Sequence, residues 1–534
     1  MKTLKLIIPI AGLLLAGASL QAQTIYDANR FIGNDLNGTA RFVGMGGAMG
    51  ALGGDISTMG TNPAGIGIYR SNDLNISFGF SNVGTNTKFE NTSAIKTDKF
   101  FGSLDNVGFV LAMKQGNHTP LRYVNFGFNY RKVKSFDRNM STAGMLNYSQ
   151  TEQFSETMYR YENRHGYMIE PDVLEDNEVY YFNDIPWLAP LAYNSNLITP
   201  YGEETLDYYS YMSDAHVVNS RYDSRERGGI HSYDFNVALN LHDRFYFGAT
   251  LGVYSIDYRR TASYYEQFLL DNGKTNDGNY TLSNHYDVDG TGVDFKLGFI
   301  FRPIESSPLR IGASITTPTF YNISAYQSTS LSFDTYDEFI GDFRRGTVNP
   351  YYSNGEGNMP GETEYKLVTP WKFNLSAGYT IGSNVALGAE YEYIDYSSSK
   401  LKYDDGVKMD YETGMIGNAL KGTHALRLGA EFKLVPDFSL RVGYNYITES
   451  IHSDAVKELP INSIRTDTEF SNGKAVSNYT LGFGYRGSTF YADMAYKYNT
   501  YKEDFYAFNV EGHTKATTIT NDRHQLLFTL GMRF

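Results

Sequence analysis

The residue types that most often carry chemistry are sparse or scattered in this chain of 534 residues. It has no cysteine, which excludes disulfides, thiolate metal sites and a thiol nucleophile. Its ten histidines include no HExxH motif and no pair at metal-ligand spacing. His231 and His242 stand at opposite ends of one predicted strand and cannot share a metal. The stretch from Asp287 to Gly292 begins like a calcium loop, but Gly298 occupies the position of its closing glutamate.

These patterns predict no metal site, no cofactor and no catalytic residue, so we expect that the protein is not an enzyme. The Gly-x-Ser-x-Gly nucleophile elbow is absent. Two alternatives stay open at this point. A serine–histidine pair can assemble in space without leaving a local motif, and haem needs only an axial histidine or tyrosine.

The last residues of the chain have the pattern of a membrane strand. Every second side chain is apolar, namely Leu526, Phe528, Leu530, Met532 and Phe534. An alternation of period two predicts a strand with one apolar face. A strand cannot keep an open edge in lipid, so this pattern implies a closed barrel. We expect the C-terminal aromatic residue, Phe534, to be the signal read by the outer-membrane barrel assembly machinery.

The whole chain fits an all-β, fourteen-stranded antiparallel transmembrane β-barrel. The connections alternate strictly between tight turns and long loops, which is typical of outer-membrane barrels. Upward strands end in outward-facing tyrosines such as Tyr391 and Tyr496, as in an interfacial girdle. An even strand count places both termini in the periplasm. We expect strands near residues 73–82, 105–115, 121–133, 231–242, 244–258, 292–303, 308–330, 366–381, 384–397, 422–435, 438–450, 478–487, 488–501 and 523–534.

The ends of the chain suggest its domain organisation. Lys2 and Lys5 precede an apolar run, and Leu20-Gln21-Ala22 is an acceptable cleavage site, so residues 1–22 are predicted to be a secretory signal peptide. Residues 23–71 lack strand alternation and are rich in glycine and alanine. They are too few for an independent domain, so we expect them to form a hatch inside the barrel of residues 72–534. The net charge of −13 argues against nucleic acid as a partner.

Within this hatch, the Gly-Met-Gly-Gly-Ala stretch followed by Asn62-Pro63-Ala64-Gly65 resembles the N-terminal signature of the FadL/TodX outer-membrane transport family. The resemblance implies a fourteen-stranded barrel with an N-terminal hatch in the outer membrane of a Gram-negative bacterium, surrounded by outer-membrane lipid. It also implies passive uptake of a hydrophobic small molecule, either long-chain fatty acid-like or aromatic. Asn62, Pro63 and Ala64 are the hatch residues that it identifies. Some relatives are labelled haemin receptors and a related branch serves protein secretion, so these functions are the alternatives.

The predicted extracellular loop of residues 134–230 is too long for a mere linker. It contains an apolar cluster with one of the two tryptophans of the chain; its members are Phe182, Ile185, Trp187, Leu188 and Leu191. One interpretation is a surface groove that captures the hydrophobic ligand. The other is a small core that folds the loop on itself, because a long ordered loop must bury apolar surface.

Overall fold

The computed structural model describes residues 23–534 except 91, 117–118, 202–206, 213–215, 272, 338–339, 353–356 and 514. The predicted signal peptide lies outside the described residues. The helices are α1 (Ile25–Phe31), α2 (Ala40–Gly44), α3 (Gln150–His165), α4 (Pro171–Leu174), α5 (Leu188–Asn194) and α6 (Asp410–Ala419), with short 3₁₀ helices at Ile56–Gly60, Pro63–Ile68, Val179–Tyr181 and Tyr396–Ser398. In the described part of the chain, no helix is long and apolar enough to cross a membrane.

The rest of the regular structure consists of strands. They are β1 (Asp73–Phe89), β2 (Ile95–Lys114), β3 (Leu121–Ser135), β4 (Arg138–Leu146), β5 (Ile198–Tyr201), β6 (Asp207–Ser210), β7 (Val217–Leu241), β8 (Phe245–Leu270), β9 (Thr275–Phe301), β10 (Arg310–Thr316), β11 (Phe320–Asp337), β12 (Asp342–Val348), β13 (Gly361–Val368), β14 (Lys372–Ile381), β15 (Val385–Asp395), β16 (Lys400–Tyr403), β17 (Gly422–Val435), β18 (Phe438–Ile447), β19 (Phe470–Arg486), β20 (Phe490–Tyr506) and β21 (Thr517–Arg533).

Fourteen strands pair in an antiparallel circuit that closes on itself. The order around the circuit is β1, β2, β3, β7, β8, β9, β10, β14, β15, β17, β18, β19, β20 and β21, and β21 pairs with β1 again. The predicted fourteen-stranded antiparallel barrel is therefore confirmed. The connection between β7 and β8 is a tight hairpin turn. His242 and Asp243 both have a φ of 55°, which such turns require.

The outer face of the barrel carries an apolar belt with a sharp upper limit. On β7 the outward side chains are Val237, Phe235 and Tyr233, all of them exposed. The next outward positions that are exposed higher on the same strand are Arg227 and Arg225. Because charged side chains are costly in hydrocarbon, the lipid-facing surface ends between Tyr233 and Arg227.

Three strands extend much further than the sequence predicts. The predicted strands 231–242, 244–258 and 292–303 correspond to β7, β8 and β9, which contain 25, 26 and 27 residues. Their added halves stand above the belt and have polar outward positions, so the apolar alternation that identifies a lipid-facing strand is missing there. The predicted loop of residues 134–230 accordingly contains β4, α3 to α5, β5 and β6, and the first half of β7.

Two neighbouring strands of the wall are broken at the same height. The predicted strand 308–330 is β10 followed by β11, and the predicted strand 366–381 is β13 followed by β14; Pro318 and Pro370 lie in the two breaks. A proline has no N–H to donate to the ladder. Threonine hydroxyls replace part of the lost pairing, since Thr317 Oγ1 accepts from Phe295 N at 3.0 Å and Thr369 Oγ1 accepts from Thr319 N at 2.8 Å.

Candidate functional site

The N-terminal segment (residues 23–71) lies inside the barrel against wall glycines that face the lumen. A Cβ atom on Gly298 would lie 2.1 Å from Asn62 Oδ1, and one on Gly443 would lie 2.2 Å from Gly46 N. Equally close approaches to the segment occur at Gly248, Gly388 and Gly429. Only glycine lets two backbones come this close, so the wall glycines form a seat for the segment. The seat was not predicted from the sequence. Its signal would have been the lumen-facing glycines that recur on successive strands.

Asn62, Pro63 and Ala64 fasten the segment to the wall. The Asn62 side-chain amide donates to Gly50 O at 2.9 Å and to Phe299 O, on β9, at 3.2 Å. Its Oδ1 accepts from Ala64 N at 3.2 Å and caps the 3₁₀ helix that Pro63 begins. Ala64 packs against Tyr246 and Ile300 of the wall. This motif therefore caps the 3₁₀ helix and also binds the N-terminal segment to the barrel wall.

A cavity of about 400 Å³ lies between the N-terminal segment and the upper wall. Its volume falls within the range of roughly 300–1,000 Å³ that is usual for small-molecule sites. Apolar and charged side chains alternate in its lining. Among the apolar members are Tyr26, Phe136 and Tyr396, and among the charged ones Lys134, Glu226 and Arg427. We call this cavity the chamber; its mixed lining suits an amphipathic molecule better than a purely apolar one.

A second, smaller cavity of about 40 Å³ adjoins the chamber. The two share part of their lining, including Asn34, Asp35, Glu392 and Arg427. Arg131 also lines the small cavity and is 5% exposed. Its guanidinium lies so close to Gly60 that a Cβ atom there would be 2.2 Å from Nη2. In the described part of the protein, Arg131 makes no hydrogen bond or ion pair.

The other cations of the small cavity differ in whether they form a direct ion pair. Lys296 Nζ lies 2.6 Å from Asp294 Oδ1 and 3.2 Å from Asp234 Oδ1, and Arg427 pairs with Glu390 and Glu392. Lys372, like Arg131, forms no direct ion pair with any described residue, although Glu392 interacts electrostatically with both and Asp294 with Lys372. Two buried or half-buried cations that face one cavity and form no direct ion pair can bind a carboxylate or another small anion. Among the described residues, no three histidine, aspartate or glutamate side chains are grouped as metal ligands.

A buried ionic cluster connects the N-terminal segment to the loop of residues 448–469. Arg465 Nη1 lies 2.6 Å from Asp27 Oδ1 in α1, and its Nη2 lies 2.5 Å from Asp467 Oδ2. Arg260 of β8 and Lys457 also contact Asp467, at 2.6 and 2.8 Å. Burial lowers the pKa of the Lys457 ammonium to about 8. Although burial opposes ionisation of Asp467, its three cationic neighbours hold the pKa of that carboxyl well below its usual range.

The same loop also contacts a helical cap, which consists of α3 to α5 and their connections. Trp187 N donates to Ser463 O at 3.0 Å, two residues before Arg465. A single short stretch of chain therefore touches both the cap and α1. The cap, this loop and the N-terminal segment are stacked in contact along the barrel.

The loop residues proposed for ligand capture lie inside the cap. Ile185, Trp187, Leu188 and Leu191 are buried in one hydrophobic core, and Phe182 packs against it half-buried. The indole N–H of Trp187 donates to Tyr180 O at 3.2 Å. None of the five lines the chamber or the small cavity. This arrangement favours the interpretation of the apolar cluster as a core that folds the loop.

Replacing Trp187 by alanine is expected to loosen the cap without unfolding the barrel. Removing a fully buried indole should cost about 3–5 kcal/mol, and the cavity would lie in the core that the cap shares with the upper ends of the strands, above the apolar belt. Trypsin should then cleave in α3, at Arg160 or Arg164, while the barrel keeps its heat-modifiable migration on gels. Trp371→Ala is the matched control, because Trp371 lies on the outer face with 48% exposure. Equal cleavage of both variants would contradict this role of Trp187.

Solved structures of similar architecture include a FadL homologue and a hydrocarbon channel. A FadL homologue from Pseudomonas aeruginosa is 12% identical, with a TM-score of 0.54, over 94% of this chain and 99% of that one. A deltaS2 mutant of the TodX monoaromatic hydrocarbon channel is 12% identical, with a TM-score of 0.50, over 94% and 100%. No protein-family model and no curated protein sequence matches the chain. At this identity the likeness concerns the fold, and it confirms the FadL/TodX type of barrel that the N-terminal motif predicts.

Proposed function

We propose that the protein is an outer-membrane channel for the passive uptake of hydrophobic compounds that carry an anionic head, as long-chain fatty acids do. The channel-type fold and the apolar belt support a place in the outer membrane of a Gram-negative bacterium. The observation that carries the choice of cargo is Arg131, a buried cation that forms no direct ion pair among the described residues and lines a cavity adjoining the amphipathic chamber.

The two cavities suit the two ends of such a molecule. An acyl chain would lie along the apolar side chains of the chamber, and its carboxylate would reach Arg131 and Lys372 in the small cavity. A neutral aromatic hydrocarbon would occupy the chamber without giving either cation a direct ion pair, whereas a carboxylate would add charge-assisted hydrogen bonds. The site therefore favours the fatty acid-like cargo over the aromatic one.

Movement of the N-terminal segment would complete the route. The segment lies in the lumen on its glycine seat. We propose that it acts as a hatch that shifts when cargo is bound. The sequence has no nucleotide-binding motif, so cargo would move down its own gradient. Both termini would face the periplasm. The C-terminus supports this topology, because Phe534 and Asn72 exchange two backbone hydrogen bonds, of 3.0 and 3.2 Å, at the short-turn side.

Replacing Arg131 by glutamine is expected to reduce the uptake of labelled oleate by about tenfold, because a hydrogen bond to a charged group contributes roughly 1.5–3 kcal/mol. Uptake is measured in proteoliposomes, with toluene as the neutral comparison. Arg345→Gln serves as the control, since the Arg345 side chain is 75% exposed on an extracellular hairpin. The proposed cargo is wrong if oleate enters equally fast through both variants. It is also wrong if liposomes without protein take up oleate as fast as proteoliposomes do.

A further inference from the structure

Four arginines project outward from the barrel just above the apolar belt. Arg221, Arg225 and Arg227 are exposed on one face of β7, and Arg259 is exposed on the same face of β8. Arg227 and Arg259 are direct cross-strand partners in the β7–β8 register. Such a cluster is unusual in a chain with a net charge of −13. We call these four residues the arginine patch.

The polypeptide neutralises only part of the arginine patch. Arg221 lies 2.6 Å from Asp223, and Arg259 lies 3.6 Å from Asp257 and opposite Asp287 of β9. Arg225 and Arg227, by contrast, form no ion pair or hydrogen bond with any residue that the structure describes. Arg225 interacts with Asp223 only electrostatically, without a direct ion pair, and both side chains are exposed on the outer face.

The charges and the position of the arginine patch both favour binding of an external anion. Like charges directly opposite each other on a sheet are destabilising, and Arg227 faces Arg259 in this way. An anion between them would remove the repulsion. The patch also lies directly above Tyr233 and Val253, which end the lipid-facing surface on β7 and β8. At that height the available anions are the head groups of the surrounding lipid.

We propose that Arg225 and Arg227, assisted by Arg259, bind the phosphate of a phosphorylated lipid in the outer leaflet. A guanidinium matches phosphate oxygens with two parallel N–H donors, and the acyl chains of the same lipid would lie on the belt below. Asp287 and Asp289 on β9 bound the patch on one side. This assignment rests on the proposed outer-membrane location, but it uses none of the residues that hold cargo.

The test is a titration of the purified, detergent-solubilised protein with bisphosphorylated lipid A, followed by native mass spectrometry. The double variant Arg225→Gln/Arg227→Gln is expected to bind this lipid about thirtyfold more weakly, since each arginine near an anionic head-group layer contributes about 1 kcal/mol. The matched control is Arg344→Gln/Arg345→Gln, which removes the same charge from the hairpin of β11 and β12. Control and unaltered protein should bind alike.

Three outcomes would overturn the proposal: unchanged binding by the double variant, an equal loss in the control, or equal affinity for lipid A without its phosphates. Heat-modifiable migration on gels shows that each variant is folded. Uptake of oleate by the Arg225→Gln/Arg227→Gln variant should be unchanged, because these side chains are exposed on the outer face of β7 and do not line the chamber. A failure of lipid binding can therefore be distinguished from a failure of the proposed transport.

Discussion

Replacing Gly298 by valine is expected to turn the closed barrel into a conducting pore. The new Cβ atom would lie 2.1 Å from Asn62 Oδ1, 2.8 Å from Pro63 Cδ and 2.9 Å from Ala64 N. The proline ring and the Ala64 backbone leave little room for adjustment, and overpacking of this kind costs about 1–3 kcal/mol or more. Valine suits a strand, so the barrel should still form while the N-terminal segment loses its seat.

Single-channel recording in a planar bilayer measures this effect as a rise in conductance over the unaltered protein. Gly473→Val is the matched control, because Gly473 is also in a barrel strand but has no atom within 4 Å of its ideal Cβ position. A closed Gly298→Val channel would mean that the seat does not hold the segment. A conducting Gly473→Val channel would attribute the opening to a weakened strand instead.

Replacing Arg465 by glutamine is expected to be the most destabilising change in the ionic cluster. It would leave Asp27 and Asp467 buried with fewer counter-ions, and breaking a buried ion pair by removing one partner costs about 3–5 kcal/mol. The free energy of unfolding can be measured with urea in lipid vesicles. The fluorescence of Trp187 reports on the cap and that of Trp371 on the barrel wall.

A double-mutant cycle shows whether Arg465 acts through Asp27. Adding Asp27→Asn to Arg465→Gln removes the carboxylate that the first change leaves unpaired, so the double variant should lose less stability than the sum of the two single variants. Coupling of this size between groups in contact is usual. Strictly additive losses would show that the cap loop and α1 are held together by other contacts.

The sequence predicts the barrel well because lipid imposes a rule on every strand that crosses it. Phe295, Leu297 and Phe299 reveal their strand by alternation alone, since each outward side chain must be apolar. Above the belt this constraint ends, and Arg221, Arg225 and Arg227 carry no such signal. The upper halves of β7, β8 and β9 were therefore missed.

The candidate site was much harder to predict, since it depends on contacts between residues far apart in the chain. Asn62 could be identified from its motif, but its contact with Phe299 depends on the closed lumen. Arg131 and Lys372 are ordinary inward positions of two strands, and only the structure shows that they share a cavity and form no direct ion pair with the residues described. The apolar cluster around Trp187 was visible in the sequence, although periodicity could not show whether it faces a ligand or a core.

The height of β9 has a consequence for the cell surface. Its 27 residues form roughly 90 Å of extended chain, at about 3.4 Å per residue. Tilted by about 40°, such a strand rises roughly 40 Å beyond an apolar layer about 25 Å thick. In the orientation proposed above, the upper halves of β7, β8 and β9 hold the cap well outside the membrane. An antibody or a phage would then meet the helices around Trp187 before it reached the apolar belt.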